Sequence, residues 1–444
     1  STTGIATTGA HQTTYGGGSR DAFLVKFNSS GVRQWGTYYG GTAYEAAYHC
    51  ATDTSGNVYL AGNTQSTTGI ATTGAHQTTY GGTYDAFLVK FNSSGVRQWG
   101  TYYGGTGYDA EASCATDASG NVYLSGQTGS SAGIATTGAH QTTYGGGSSD
   151  AFLVKFNSSG VRQWGTYYGG TGYDAEASCA TDASGNVYLS GYTSSTTGIA
   201  TTGAYQTTFG GSSDAFLVKF NSSGVRQWGT YYGGTDYDEG YSCATDTSGN
   251  VYLAGGTSST TGIATTGAHQ TNFSCLGIGF LVKFNSSGVR QWGTYYGADA
   301  GESDQVRGCA TDNSGNVYLT GVTEVAEGSA STTGIATTGA HQTTYGSTFP
   351  NPDAFLVKFN SSGVRQWGTY YGASGSDAGY GCATDASGNV YLAGVTTSTD
   401  SIATTGAHQT TSGGGDAFLV KFRSCNATFN SLQDTITACG TDSV

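Results

Sequence analysis

Apolar and polar residues alternate along this chain in short runs, and the same order of runs keeps returning. In the copy that begins at Cys50, four segments read as strands: Cys50–Asp53, Asn57–Gly62, Asp85–Phe91 and Val96–Tyr103, named A to D below. Each is short, rich in β-branched and aromatic residues, and bounded by Gly, Ser, Asn or Asp. Thr54-Ser55-Gly56 joins A to B and Asn92-Ser93-Ser94-Gly95 joins C to D. Both turns supply a glycine for positive φ, so two tight hairpins are expected per copy. No stretch shows apolar residues at a 3.6-residue period over a helical length, and the pattern predicts essentially no helix.

The period of the pattern sets the architecture. Ile-Ala-Thr-Thr-Gly-Ala begins at Ile5, Ile70, Ile134, Ile199, Ile263, Ile335 and Ile402. A unit of about 64 residues with few large aliphatic side chains does not bury a core alone, so the copies must pack on one another. Four antiparallel strands repeated at this length predict an all-β fold, a β-propeller of four-stranded antiparallel blades. Strand C (Phe-Leu-Val-Lys-Phe) occurs seven times, from Phe23 to Phe418, whereas A, B and D each occur six times. Seven blades are therefore expected. The first would lack A and B and the last would lack D, the ring closing by strand exchange between termini with segments upstream of Ser1. A six-bladed ring, with Trp35 and its neighbours completing the last blade, is the runner-up. The propeller is expected over residues 1–424, and 425–444 as a linker or the start of a following domain.

Composition narrows the function classes. The chain has 444 residues, of which 75 are Gly but only 2 are Pro, with 32 Tyr and 18 Phe, a composition unlike that of a disordered or collagen-like chain. No apolar run approaches the roughly 18 residues of a membrane helix. With a net charge of −13 and no basic cluster, nucleic acid is a poor partner. No Gly-x-Ser-x-Gly, His-Glu-x-x-His or Gly-x-x-x-x-Gly-Lys motif is present, and the blades are near copies, so no catalytic residues are expected and the chain is read as no enzyme.

Asp-Ala-Phe-Leu-Val-Lys-Phe-Asn, then Trp-Gly-Thr-Tyr-Tyr-Gly-Gly, then Ala-Thr-Asp-x-Ser-Gly-Asn-Val-Tyr-Leu-Ala-Gly resembles the SBBP-type bacterial β-propeller repeat of secreted and surface proteins common in Bacteroidota. The resemblance runs over roughly residues 1–423. It implies a seven-bladed ring, an extracellular or cell-surface setting and no single activity. The tail, with Asp434-Thr435-Ile436-Thr437-Ala438-Cys439-Gly440, looks like the start of an Ig-like or PKD-like module. That likeness implies a longer parent chain, exported by type IX secretion.

One face of such a propeller varies. The C–D turns are identical in six copies, but the D–A connections hold variable tyrosines and acids: Tyr44 and Glu45; Tyr108, Asp109 and Glu111; Tyr173, Asp174 and Glu176; Tyr237, Asp238 and Glu239; then Asp299, Glu302, Asp304 and Asp377. The B–C loops, about twenty residues long, take inserts at Glu324–Ala330 and Ser347–Pro352. Aromatic and carboxylate side chains in loops stack on sugars and accept hydrogen bonds from hydroxyls, so these tyrosines and acids are the candidate ligand contacts. The competing reading is a solvated acidic rim.

Other clusters read as architecture. No metal or cofactor is expected. Calcium needs six or more converging oxygens, and Asp53-Thr54-Ser55-Gly56-Asn57 is explained by its turn. His11, His76, His140, His269, His341 and His408 recur once per blade, too far apart for one tetrahedral site. Six cysteines share one place in strand A and are expected as thiols, Cys425 and Cys439 are a candidate pair, and Cys275 is odd. Seven Lys, all in strand C, and six Arg in strand D make up 13 of the 16 basic residues, one of each per blade, expected to face carbonyls of the neighbouring blade or the Asp21-type acids. The leading expectation is a structural, adhesion or protein-interaction module of a surface protein. The alternative is a multivalent glycan-binding propeller, with a polysaccharide-active enzyme third.

Overall fold

The computed structural model describes residues 2–298, 303–324 and 334–423. Asp299, Glu302, most of the Glu324–Ala330 insert, Cys425, Cys439 and the 425–444 tail lie outside these residues. The described chain is all strand and turn, with no helix among the described residues. Two compact units emerge. The first comprises Ser1–Gly233, Glu239–Cys243 and Ser287–Val289, and the second Gly234–Asp238, Ala244–Ser286 and Arg290–Val444.

In the first unit, β1 (Ala22–Phe27) and β2 (Arg33–Tyr39) form a two-stranded sheet. Three four-stranded antiparallel sheets follow, each in sequence order. The first contains β3 (Glu45–Thr52), β4 (Val58–Thr64), β5 (Asp85–Phe91) and β6 (Arg97–Tyr103); the second β7 (Asp109–Thr116), β8 (Val122–Thr128), β9 (Asp150–Phe156) and β10 (Arg162–Tyr168); the third β11 (Asp174–Thr181), β12 (Val187–Thr193), β13 (Asp214–Phe220) and β14 (Arg226–Tyr232). The second unit holds most of the sheet β15 (Asp238–Thr245), β16 (Val251–Thr257), β17 (Ile278–Phe284) and β18 (Arg290–Tyr296). It also holds all of the sheet β19 (Asp304–Thr311), β20 (Val317–Thr323), β21 (Asp353–Phe359) and β22 (Arg365–Tyr371). Its last sheet has three strands, β23 (Asp377–Thr384), β24 (Val390–Thr396) and β25 (Asp416–Phe422).

Among the described residues the blades therefore number six, the runner-up count and not the seven expected. Strand C is a poor counter, because its first copy pairs with β2 alone, in the β1–β2 hairpin. Nor do the described residues show an exchanged strand: β25 is the edge of its sheet, and β1 and β2 pair only with each other.

The sequence pattern explains the burial. In the four-stranded sheets strand C is buried along nearly its whole length, as at Asp85–Phe91, because a blade packs on both faces and so reads as continuous rather than alternating, whereas the copies in β1 and β25 are partly exposed. Asn92 Oδ1 accepts the N–H groups of Ser94 and Val96 at 3.0 Å each, closing the C–D turn, and Gly95 follows at φ 80°. The long B–C loop covers an edge. Thr72 N–H donates to Gly100 O and Tyr102 N–H to Gln77 O, so the loop occupies the backbone groups that β6 would otherwise leave open.

Neighbouring blades are joined by one repeated set of polar contacts. Lys90 Nζ and Trp99 Nε1 both donate to Ser158 O, at 3.0 and 3.1 Å, and Tyr103 Oη donates to Ile134 O at 2.6 Å. Lys90 also lies 3.9 Å from Asp53 and 5.2 Å from the Tyr59 ring centroid. The lysines thus face the neighbouring carbonyl, as expected, but their acids are the Asp53 set of the A–B turn, not the Asp21 set. His76 packs on Tyr103 and Phe156 at 5.9 and 5.7 Å, and burial together with Arg162 pushes its pKa down to about 4.

Candidate ligand-contact face

Strand A begins five residues earlier than expected, at the acid itself. This shift decides the fate of four of the eleven candidate contacts. Glu45, Asp109, Asp174 and Asp238 are the first residues of β3, β7, β11 and β15, and all four are fully buried. Asp109 Oδ2 accepts Gly105 N–H at 2.8 Å and Ser130 Oγ at 2.7 Å, while Oδ1 accepts Thr128 Oγ1. Asp174 repeats the set with Gly170, Ser195 and Thr193. Asp238 repeats it with Gly234, Ser259 and Thr257. Glu45 accepts Gly41 N–H and Thr64 Oγ1. These carboxylates hold the start of strand A onto strand B. Burial raises the pKa of Asp109 and Asp174, and that of Asp238 to about 6. Glu45, Asp109 and Asp174 each meet a close glycine: a Cβ on Gly104 would lie 2.6 Å from Asp109 Oδ2.

The tyrosines and glutamates divide differently. Tyr44, Tyr108, Glu111, Tyr173, Glu176 and Glu239 lie in the first unit with Tyr48, Tyr84, Tyr192 and Tyr241, whereas Tyr237 and Asp238 belong to the second. Tyr84 stacks edge-on to Tyr44 at 5.9 Å and to Tyr108 at 5.3 Å. Tyr173 lies 5.7 Å from Tyr192 and donates to Gln127 Oε1 at 3.1 Å. Tyr241 Oη donates to Glu239 Oε2. Tyr108 is 40% exposed, Tyr48 54% and, in the second unit, Tyr237 60%.

A bulge in each inner strand places the variable side chains. Strand pairing slips between Ala47 and His49 in β3, leaving Tyr48 extra, and between Ala110 and Ser113 in β7, leaving Glu111 and Ala112 opposite Gly126. The same slip falls at Arg307 in β19 and Tyr380 in β23. Such bulges re-aim a side chain away from the ladder. In β7 and β11 the bulge puts Glu111 at φ 55° and Glu176 at φ 50°, conformations that L-residues with a side chain adopt at a cost. Glu111 Oε2 is buried without a hydrogen-bond partner, and burial pushes the pKa of this carboxyl up. Burial pushes the pKa of the Tyr48 phenol up.

Tyr48, Tyr84, Tyr192 and Tyr241 escaped the sequence reading because it looked for contacts in connections, and these residues lie on strands or at a loop's end. The signal was available at one position of strand A, where Tyr48, Ala112, Tyr241, Arg307 and Tyr380 differ while the Cys-Ala-Thr that ends the strand does not.

A second feature repeats. A groove of about 490 Å³ lies between His76, Gln98 and Trp99 of one blade and Gly160, Val161 and Arg162 of the next, and an equivalent groove of about 500 Å³ lies around Trp164. Among the described residues, no group of three or more His, Cys, Asp or Glu is placed to hold a metal ion. Cys50, Cys114, Cys179, Cys243 and Cys382 are free thiols.

The repeated blades, with their common junctions, define the class: this is a β-propeller repeat protein. Residues 227–262, 291–326 and 366–400, each running from strand D through A and B, match the SBBP family, described as a beta-propeller repeat. No curated protein matches the chain. Among solved structures it is similar to a protein of unknown function from Bacteroides caccae, with 10% identity, 76% of this chain and 85% of that one covered, and a TM-score of 0.37. It is also similar to a gluconolactonase from Xanthomonas campestris (8% identity, 79% and 83% covered, TM-score 0.35) and to the sialidase NanB from Streptococcus pneumoniae (8%, 79% and 65%, TM-score 0.42). These likenesses are of fold alone. One expectation is corrected: near-copy blades without familiar motifs were read as no enzyme, but the solved structures similar to the chain include a gluconolactonase and a sialidase, and a fold by itself does not exclude catalysis.

Proposed function

We propose that this protein is an adhesion or protein-interaction module, displayed outside the cell as part of a larger chain, which holds its partner on the tyrosine and glutamate face of its first unit. The single observation behind this reading is the contrast between Glu111 and Asp109. Asp109 is enclosed by donors, whereas Glu111, two residues on, sits on a bulge at positive φ with an unpaired carboxylate oxygen, in a unit whose Tyr48 and Tyr108 rings are exposed. Strained backbone and unpaired buried polar atoms gather where a surface is shaped for contact rather than for stability. The extracellular setting rests on the resemblance to the repeat of secreted and surface proteins.

A multivalent glycan-binding reading is favoured by a different observation, the groove that returns between successive blades with Trp, His, Gln and Arg side chains on its walls. Weak sites of this kind gain strength by avidity. Binding of the folded chain to immobilised peptide and glycan arrays separates the two. Loss of all binding on Tyr108→Ala supports the tyrosine face; binding kept by Tyr108→Ala and lost on Gln98→Ala with Gln163→Ala supports the grooves. Binding indifferent to both sets contradicts both readings.

A further inference from the structure

Strand C turns its alternate side chains to two different neighbours, as the pleat of a strand requires. In β5, Ala86 and Leu88 join a buried cluster with Cys114, Leu124, Phe152 and Val154 of the following sheet. Phe87, Val89 and Phe91 join Leu24, Trp35 and Tyr39 of the preceding one. The Ala and Leu positions thus make a forward face and the Phe and Val positions a backward face. The second unit follows the same rule, since Ala354 and Leu356 of β21 pack with Leu392, Phe418 and Val420. Phe87, Leu88 and their copies in the other four-stranded sheets are wholly buried.

The two incomplete sheets depart from this rule in opposite ways. In β1 the forward-facing Ala22 and Leu24 are buried, but the backward-facing Phe23 is 43% exposed. In β25 the backward-facing Phe418 and Val420 are buried, but the forward-facing Leu419 is 44% exposed. Strand β24 extends that forward face: Val395, 45% exposed, pairs with Ala417, and the exposed Ala393 pairs with Leu419. We infer that these two faces bind each other between copies of the chain, the forward face of one copy's last sheet taking the backward face of a second copy's first sheet.

The occupant follows from the repeat. Ala and Leu of one strand C against Phe and Val of the next is the contact that joins successive sheets within each unit, so a second copy brings a surface already matched in shape and chemistry. Exposed apolar patches of this kind mark contact surfaces. Strand donation does not serve instead, because β25 lacks a D partner and β1 a B partner, and every described B and D strand is already paired in its own sheet. Two different faces make a heterologous, head-to-tail contact, which adds copies until a ring closes or a filament grows.

The test is sedimentation velocity of the full chain over a concentration series, with Phe23→Asp and Leu419→Asp as single variants, and Val395→Lys as a second variant of the forward face. Circular dichroism and urea unfolding select the variants that fold as wild type does. Wild type should form dimers and larger species as concentration rises. Each variant should associate about tenfold or more weakly, the size expected for losing one buried apolar side chain. An equal mixture of Phe23→Asp with Leu419→Asp, or with Val395→Lys, should recover association but stop at dimers, because each copy keeps one sound face and the dimer's outer faces are both spoiled. A wild-type chain that stays monomeric throughout the series overturns the inference. Association indifferent to the variants of either face overturns it as well, and so does a mixture that associates no better than its components.

Discussion

Gly160 provides the sharpest test of how the blades are joined. It closes the C–D turn of the second four-stranded blade at φ 80°, and a Cβ added to it would lie 2.8 Å from Cδ2 of Trp99 on the preceding blade. Two independent costs follow for Gly160→Ala. Holding an alanine at positive φ costs about 1–2 kcal/mol. Forcing a methyl group against a ring whose Nε1 is already tied to Ser158 O adds an overpacking cost of about 1–3 kcal/mol. The sum is about 2–5 kcal/mol. Gly138 is the internal control, at φ 79° with nothing within 4 Å of where a methyl would sit, so Gly138→Ala should show the conformational cost alone. Urea unfolding of wild type and both variants, followed by tryptophan fluorescence and compared at unchanged m, measures the difference. Gly160→Ala should unfold at clearly lower urea than Gly138→Ala. Equal midpoints would refute the claim that Trp99 and the neighbouring turn are in contact.

Other predictions follow from the same geometry. Lys155→Met removes the partner of Asp117, 3.8 Å away and almost wholly buried, together with the donor to Ser222 O, and should cost about 3–5 kcal/mol in urea unfolding; a cost within 0.5 kcal/mol of zero would show, roughly, a solvated pair. Glu111→Gly relieves a strained bulge and should raise stability by up to about 1 kcal/mol while abolishing partner binding, and a loss of stability would show that the bulge is unstrained. The pH dependence has two opposed sources. Burial raises the pKa of Asp150 to about 7 and of Asp85, Asp238 and Asp353 to about 6, so the folded state keeps protons the unfolded chain releases, and this contribution is lost as pH rises from the ordinary carboxylate range through those values. His11, His76 and His140, lowered to about 4, act in the other direction and lose stability as pH falls from the ordinary histidine range toward that value. Asp150→Asn removes the term that reaches highest in pH, so its thermal midpoint should fall less than that of wild type between about pH 5 and about pH 8; equal slopes would contradict the assignment.

The sequence was most legible where a residue serves the backbone. Asn92-Ser93-Ser94-Gly95 and Asp53-Thr54-Ser55-Gly56-Asn57 announce their turns because side-chain oxygens and glycines at those spacings have one local solution. The lysines and histidines were legible as architecture from their one-per-blade rhythm, though not which acid Lys90 would meet, since that depends on how strand C lies beside the A–B turn. Asp109 and Glu111 show the limit. Both are acids near an exposed tyrosine in sequence, and the ladder separates them: Asp109 pairs with Thr128 and is buried among hydroxyls, whereas Glu111 falls in the bulge after Ala110. The blade count failed for a related reason, because Phe23–Phe27 carries the same motif as every other strand C, and a motif does not record whether its partners are present.

The central claim is that the differences between blades, and not their common turns, form the binding surface. Hydrogen exchange of the full chain with and without a saturating ligand taken from the peptide arrays tests it most directly. The account predicts added protection in residues 44–48 and 108–112 and none at the C–D turns 92–96 and 157–161. Protection confined to those turns, or spread equally over every blade, would contradict it.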